Sequence, residues 1–254
     1  MRFVKNETSR LISRKIDKAI FEYNLIEPND RVLLAVSGGK DSLTMSYFLG
    51  RKSKGFPIPF SVTAIYIESD FDGCGASSQM EELLHSWDVE LVRHKVDIYN
   101  RLKEGESLNC YWCSTQRRLE LMNYAKKNGY TKIALGHHLD DIIETTLMNM
   151  ALKSQISTML PKMHYKKFDQ IIIRPLARVS VKEIIKFAKD CEFLESSTSC
   201  QYGKKSKRLT MREAVEYIAQ KEGEHIRENL FNSLSNIDFD YLPSASGTKR
   251  ETIS

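Results

Sequence analysis

"RVLLAVSGGKDSLTM" runs from Arg31 to Met45, and how this stretch is read decides the fold. "RVLLAV" (Arg31 to Val36) is a short apolar, β-branched run, the mark of a buried strand. Two glycines follow, and then Leu43, Met45, Tyr47, Phe48 and Leu49 fall at helical spacing. Strand, glycine turn and helix together aim backbone N–H groups and a helix N-terminus at an anion. An ordinary βα turn accounts for Gly38 and Gly39, because glycine relieves backbone strain. It has no need of Ser37, Lys40, Asp41 and Ser42 as well. The N–H groups of Gly38, Gly39 and Lys40 can cradle a phosphate, the hydroxyls of Ser37 and Ser42 can add hydrogen bonds, and the Lys40 ammonium supplies charge. Asp41 would repel a phosphate unless a divalent cation lies between them, so Mg²⁺ is expected. The stretch is too short for a Walker A loop and lacks the G-x-G-x-x-G dinucleotide pattern.

Composition sets the outer bounds. A chain of 254 residues with 41% hydrophobic and 28% charged residues is long enough for one large α/β domain with extensions. No apolar run approaches a membrane span. The opening "MRFVKNETSRLISRK" has no apolar core after its basic residues, so no secretory signal is expected. Five cysteines without such a signal point to a reducing cytoplasm rather than a disulfide framework. The net charge of +5 mildly favours a polyanionic partner.

Along the chain, Glu7 to Leu25 carries Leu11, Ile12, Ile16, Ala19, Ile20 and Tyr23 on one helical face. Further strands are predicted at Phe60–Glu68, Val89–Val96, Lys132–Gly136 and Gln170–Leu176. Helices are predicted near Gln79–Trp87, Thr115–Asn128 and Ile142–Lys153, then at Val181–Lys189, Thr210–Lys221 and Glu224–Ser235. Strands alternating with helices predict a parallel sheet covered on both faces, with ligands at the carboxyl ends of the strands. The expected organisation is an N-terminal helical extension (1–29), an α/β domain (30–190), a helical C-terminal region (191–243) and a small, polar, disordered tail (244–254).

Two more constellations carry chemistry. "GHHLDD" (Gly136 to Asp141) follows the fourth strand on the same sheet edge as the glycine loop. One aspartate is expected to cap the next helix, but a cap does not also require His137, His138 and the second aspartate. "NCYWCS" sets Cys110 and Cys113 in a C-x-x-C pair, which can serve a redox disulfide, half a zinc site or part of an iron–sulfur site. No second C-x-x-C follows, which excludes a four-cysteine zinc knuckle. Cys200, in a polar basic stretch, and Cys74, on a loop after the second strand, are rival third ligands; Cys191 lies on an amphipathic helix and is expected to pack. Three cysteines on a 4Fe–4S cluster leave one iron without a protein ligand.

The six residues "SGGKDS" resemble the PP-loop of the ATP pyrophosphatases, which cleave ATP between its α and β phosphates and activate a substrate oxygen with AMP. With C-x-x-C, G-H-H-x-D-D and a late cysteine in this order, nearly the whole chain resembles the tRNA 2-thiocytidine synthetases, the TtcA family. The resemblance implies a Rossmann-like, adenine nucleotide α hydrolase-like α/β fold and ATP-dependent thiolation of a cytidine at position 32 of tRNA. It implies a 4Fe–4S cluster on Cys110, Cys113 and Cys200, and ATP held by Ala35, Ser37 to Ser42, Ile67, Gly136, His138 and Asp141. Lys40, Asp41 and Asp141 would be catalytic, joined by Arg117, which falls where related thiolases place a basic active-site residue. Many relatives carry a P-C-x-x-C stretch at the late position, and here Ser197 replaces its first cysteine. Arg118, Lys204, Lys205, Lys207 and Arg208 are expected to follow the RNA backbone. A cysteine desulfurase as sulfur donor, a homodimer and no membrane association complete the expectations. Two rivals remain: a PP-loop ligase of the lysidine or GMP synthetase type, which has no use for three cysteines, and a zinc-stapled RNA-binding protein, which has no use for the PP-loop.

Overall fold

The structure, a computed structural model, describes residues 6–70, 76–102, 110–193 and 207–242, with the side chains of Cys110 and Lys207 excepted. Strand β1 (Asp30–Ala35) is apolar on both faces: Val32 and Leu34 enter one core, and Leu33 the other. This two-sided burial is what a central parallel strand requires. It pairs in parallel with β2 (Phe60–Ser69) and β4 (Lys132–Ala134). Beyond β2 lies β3 (Leu91–Val96), and beyond β4 lies β6 (Gln170–Ile173), both parallel. The sheet order is β3-β2-β1-β4-β6-β5.

The last strand corrects the sequence reading. β5 (Lys162–Tyr165) runs antiparallel to β6, so the sheet is mostly rather than wholly parallel. "KMHY" was not predicted as a strand because an edge strand needs no continuous apolar run.

One face of the sheet is covered by α1 (Glu7–Glu22), α2 (Lys40–Lys52), α3 (Ser78–Ser86) and α6 (Val181–Asp190). α1 starts in a capping box between Asn6 and Ser9 and buries Ile12, Ile16, Ala19 and Ile20, as its periodicity predicted. The opposite face is covered by α4 (Cys110–Lys127), which buries Leu121, Met122 and Ala125 against Leu33, Ile65, Ile133 and Ile172. A third cluster joins α5 (Leu139–Lys153) to α7 (Lys207–Glu222) and α8 (Ile226–Asn232) through Ile142, Ile143, Val215, Ala219 and Phe231. Helices therefore lie on both faces, as predicted. Among the described residues no helix is long and apolar enough to cross a membrane. The predicted disordered tail falls outside the described residues.

Boundaries moved where tertiary contacts outweighed local signal. α4 begins at Cys110 rather than Thr115, which puts the C-x-x-C pair on a helix. α5 begins at Leu139 rather than Ile142, and α7 at Lys207 rather than Thr210. β6 stops at Ile173, before Pro175, which has no N–H to continue the ladder.

Candidate active site

The glycine loop hangs between the end of β1 and the start of α2, at the carboxyl edge of the sheet. Gly38 has φ 81°, the left-handed region that favours glycine. Gly39 is the N-cap of α2 and provides no side-chain cap, so the first-turn N–H groups stay available. Two serines brace the loop. The Ser42 hydroxyl donates to the Gly39 carbonyl at 2.9 Å, and the Ser37 N–H donates to Ser42 Oγ at 3.2 Å. Ser42 is buried while Ser37 is exposed, so Ser42 shapes the loop and Ser37 faces solvent. Lys40 Nζ lies 3.0 Å from Asp41 Oδ1, an oxygen that is shielded from solvent and has no hydrogen-bond partner. That unsatisfied acceptor, beside a helix N-terminus open to phosphate, fits the oxygen chemistry of a Mg²⁺ ligand.

The end of β4 presses against this loop. A Cβ at Gly136 would sit 3.0 Å from the Ser42 nitrogen and 3.1 Å from the Asp41 carbonyl carbon, so glycine is required for the close approach. His138 is the N-cap of α5 in a capping box with Asp141: the Asp141 N–H donates to His138 Nδ1 at 3.4 Å, and the His138 N–H donates to Asp141 Oδ2 at 3.2 Å. With Nδ1 accepting, the ring proton belongs on Nε2, which lies 3.4 Å from Asp141 Oδ2 and 3.8 Å from Asp41 Oδ1. One buried imidazole thus joins the two expected catalytic carboxylates.

Of the two aspartates, one of which is expected to cap α5, Asp141 takes part as the N3 partner in the capping box, but the N-cap residue itself is His138. Asp140 instead accepts from the Val181 N–H at 2.7 Å, at the start of α6, and from Arg227 Nε at 2.9 Å. It is a structural anchor for α6 and α8. His137 is half-buried with its Nδ1 unpartnered; burial, and then the positive charge of Arg174, push its pKa down to about 4.

On the other side of the sheet, Arg117 projects from α4 and donates from Nη2 to the Ile67 carbonyl at 3.0 Å, with its guanidinium 5.8 Å from the centre of the Tyr66 ring. Arg117 and Arg118 edge a cavity of about 200 Å³ lined by Ala35, Ile65, Ile67 and Leu121. It opens beside Ser37 and is walled by apolar side chains, as a nucleobase pocket would be. A wider cleft of about 730 Å³ lies between α1 and the end of α2. Its buried Lys52 is already held by Asp17 at 2.5 Å and by the Ser13 hydroxyl at 2.9 Å, and Arg10 and Arg51 line it as well.

Cys110 and Cys113 stand one turn apart in α4. Cys113 packs at the edge of the core under α4. Thiolates so placed fit the donor chemistry of an iron–sulfur cluster. Among the described residues no three of His, Cys, Asp and Glu converge on one ion. Cys191 is buried in the core on the opposite sheet face, and burial pushes its thiol up to about 12, so it is packing, as expected. The rival third ligands, Cys74 and Cys200, and also Ser197, Lys204 and Lys205, lie outside the described residues. Lys207 opens α7. Arg208, expected on an RNA surface, instead turns inward, with Nη1 3.4 Å from Asp141 Oδ1 and Nη2 3.3 Å from the Thr145 hydroxyl. Arg174 was not singled out from the sequence at all; it is buried beneath this edge.

Comparison with known proteins agrees with this architecture. The model of a PP-loop domain family matches residues 8–216. The tRNA-cytidine(32) 2-sulfurtransferase of Geotalea daltonii is 33% identical over 248 residues, which cover 95% of this chain and 97% of that protein. The protein of the same name from Vibrio vulnificus is 38% identical over 187 residues, 72% of this chain and 60% of its own length. Among solved structures, the U34-tRNA thiolase NcsA from Methanococcus maripaludis, with its 4Fe-4S cluster, shares the fold at a TM-score of 0.72 and 22% identity, covering 91% of this chain and 80% of that one. The chain belongs to the PP-loop domain family and, within it, to the family of the tRNA-cytidine(32) 2-sulfurtransferases.

Proposed function

We propose that this protein is an ATP-dependent tRNA sulfurtransferase that converts cytidine 32 to 2-thiocytidine, forming AMP and pyrophosphate. The observation that carries the reading is a convergence at one sheet edge: the uncapped N-terminus of α2, the Asp41–His138–Asp141 line, and the first turn of α4 with its paired cysteines.

Adenine enters the cavity edged by Ala35, Ile65 and Ile67, and the phosphates lie over the N–H groups of Gly38, Gly39 and Lys40. Hydrogen bonds to a charged group contribute about 1.5–3 kcal/mol each, so several hold a triphosphate firmly. Asp41 is the carboxylate suited to Mg²⁺, and Lys40 then neutralises the departing pyrophosphate. The C2 oxygen of cytosine attacks the α-phosphorus, and the bond to the bridging oxygen of the β-phosphate breaks. Sulfur then attacks C2, and AMP leaves with the former base oxygen. Asp141, oriented by His138 and Arg208, faces the base, while Arg117, one turn beyond Cys113, offers its charge to the departing AMP.

Cys110, Cys113 and Cys200 would hold the 4Fe–4S cluster, which would supply the sulfur-transfer chemistry when bound. Supporting Cys200, the helix that follows it begins beside Asp141, and a chain of seven residues spans up to about 25 Å. Arg118, Lys204, Lys205 and Lys207 follow the tRNA backbone, and a cysteine desulfurase is the class of sulfur donor. The test is to incubate anaerobically purified protein with ATP and tRNA lacking the modification, then digest to nucleosides. 2-Thiocytidine is expected; sulfur in another nucleoside, or a nitrogen adduct of cytidine, contradicts the reading.

A further inference from the structure

Four cations are buried among the described residues: Lys52, Lys132, Arg174 and Arg227. Three have a carboxylate close by: Lys52 with Asp17 at 2.5 Å, Lys132 with Asp30 at 2.6 Å, and Arg227 with Asp140 at 2.9 Å. Arg174, only 5% exposed, has none within ion-pair distance among the described residues. Its Nη1 donates to the Leu160 carbonyl, and its Nε is buried without a partner. The bond to Leu160 explains why a donor stands here, but not why the donor is charged, because a carbonyl is satisfied by any N–H. A guanidinium taken from water without a counter-charge costs several kcal/mol.

Its surroundings add to that cost. Arg174 ends the run that forms β6, at the carboxyl edge of the sheet. Burial and the nearby charge of Arg118 push its pKa down to about 10, and the only carboxylate that acts on it is Asp141, beyond ion-pair reach. Asp141 is itself engaged by Arg208 and His138. Arg118 is exposed on α4 and makes no ion pair among the described residues. These two positive groups act on each other at one edge, and neither is neutralised by an ion pair among the described residues.

We propose that Arg174, together with Arg118, receives a phosphate ester of a substrate. A guanidinium presents parallel N–H donors that match phosphate oxygens, which a lysine in the same place would not. The inference rests on reading this edge as the ATP and tRNA site. Two substrates bring phosphate esters there: ATP, and the RNA strand through the phosphodiesters flanking the target cytidine.

The test uses the full chain with Arg174→Met, which removes the charge at similar volume, and Arg174→Lys, which keeps charge without the fork. Binding of a non-hydrolysable ATP analogue and of an anticodon stem-loop RNA is measured at several salt concentrations. One of the two ligands is expected to weaken about 10- to 100-fold in the Met variant and by an intermediate factor in the Lys variant. If the phosphate belongs to RNA, the slope of log affinity against log salt also falls by about 0.7, the share of one contact on a single strand. If it belongs to ATP, the RNA slope is unchanged. The melting temperature of the ligand-free Met variant should match or exceed the native one. Affinities for both ligands within about twofold of native overturn the proposal; where the Met variant does not fold, native affinities in the Lys variant do so. Lys40→Ala separates the two failures: if it still forms AMP, the reading of the edge is wrong, whereas lost AMP formation with normal binding by the Arg174 variants sinks this inference alone.

Discussion

The two edges of the sheet treat buried charge in opposite ways. At the amino edge, Lys132 on β4 is almost wholly buried, yet Asp30 at 2.6 Å and Glu27 at 3.0 Å surround it, and Lys162 shares Glu27 at 3.1 Å. At the carboxyl edge, His137 Nδ1 and Arg174 Nε are shielded from solvent without a hydrogen-bond partner, and Asp41 Oδ1, equally shielded, has only Lys40 Nζ at 3.0 Å. Buried polar groups in folded proteins are nearly always satisfied, so a cluster of exceptions calls for a cause. The amino edge has only to stand, and its charges are matched within the chain. On the proposed reading, the carboxyl edge holds polar groups whose partners arrive with ATP and RNA.

If that difference is functional, substitutions at the two edges should fail in different ways. The largest effect is expected at the cysteines. Cys110→Ala, Cys113→Ala and Cys200→Ala should each lose their iron after anaerobic purification, whereas Cys74→Ala and Cys191→Ala should keep it. Iron retained in Cys200→Ala but lost in Cys74→Ala would move the third ligand to the other loop. Next, Lys40→Ala should lower AMP formation roughly 10²–10³-fold, the scale for removing one preorganised electrostatic contact to a transition state. Its melting temperature should stay near the native value, because Lys40 is half-buried and packs against no core.

Asp140 and Asp141 give the sharpest contrast between neighbours. Asp140→Asn removes the buried member of the three carboxylates around Arg227, leaving Glu216 at 2.5 Å and Glu224 at 2.6 Å, and weakens the anchor at the Val181 N–H. A fall in melting temperature is expected, larger than that of Asp141→Asn. Asp141→Asn keeps an oxygen for the His138 cap and should stay folded while losing most thiolation. Equal losses of stability in the two variants would erase the distinction between a structural and a reactive carboxylate. The smallest effect concerns His137. Its pKa in the folded chain is pushed down to about 4, against 6.5 for an unperturbed imidazole, so the unfolded chain binds the extra proton between these values. Stability from this group is complete above about pH 6.5 and declines as pH falls toward 4. Arg174→Met should raise the His137 pKa and flatten that decline, as followed by proton NMR titration and melting curves.

Much of this edge was legible in the sequence because its signals are local. The strand, the two glycines and the helix of Arg31 to Met45 are contiguous, and each residue's reason lies within a few positions of it. Gly136 and Asp141 were legible by the same adjacency. What stayed hidden depends on partners far along the chain. The role of Asp140 is set by Arg227, 87 residues later, so its proximity to a helix start suggested a cap it does not form. Arg174 sits in "QIIIRPL", where an arginine after an apolar run reads as an exposed strand end; its burial comes from the strand-to-helix turn and the Leu160 segment folding over it. The start of α4 was missed because Cys110, Tyr111 and Trp112 have modest helix propensity, even though Asn109, a residue type favoured at helix N-caps, precedes them. Arg208 was assigned to RNA from a basic cluster, a pattern that carries no information on which way one side chain turns.

The most direct test of the account is a product count under anaerobic conditions, with iron-loaded protein, ATP and tRNA lacking the modification. AMP, pyrophosphate and 2-thiocytidine should appear in equal amounts, because adenylation of the base oxygen consumes one α–β bond for each sulfur transferred. ADP with inorganic phosphate, or thiolation without nucleotide cleavage, would contradict the assignment of this edge to the joint binding of ATP and cytidine.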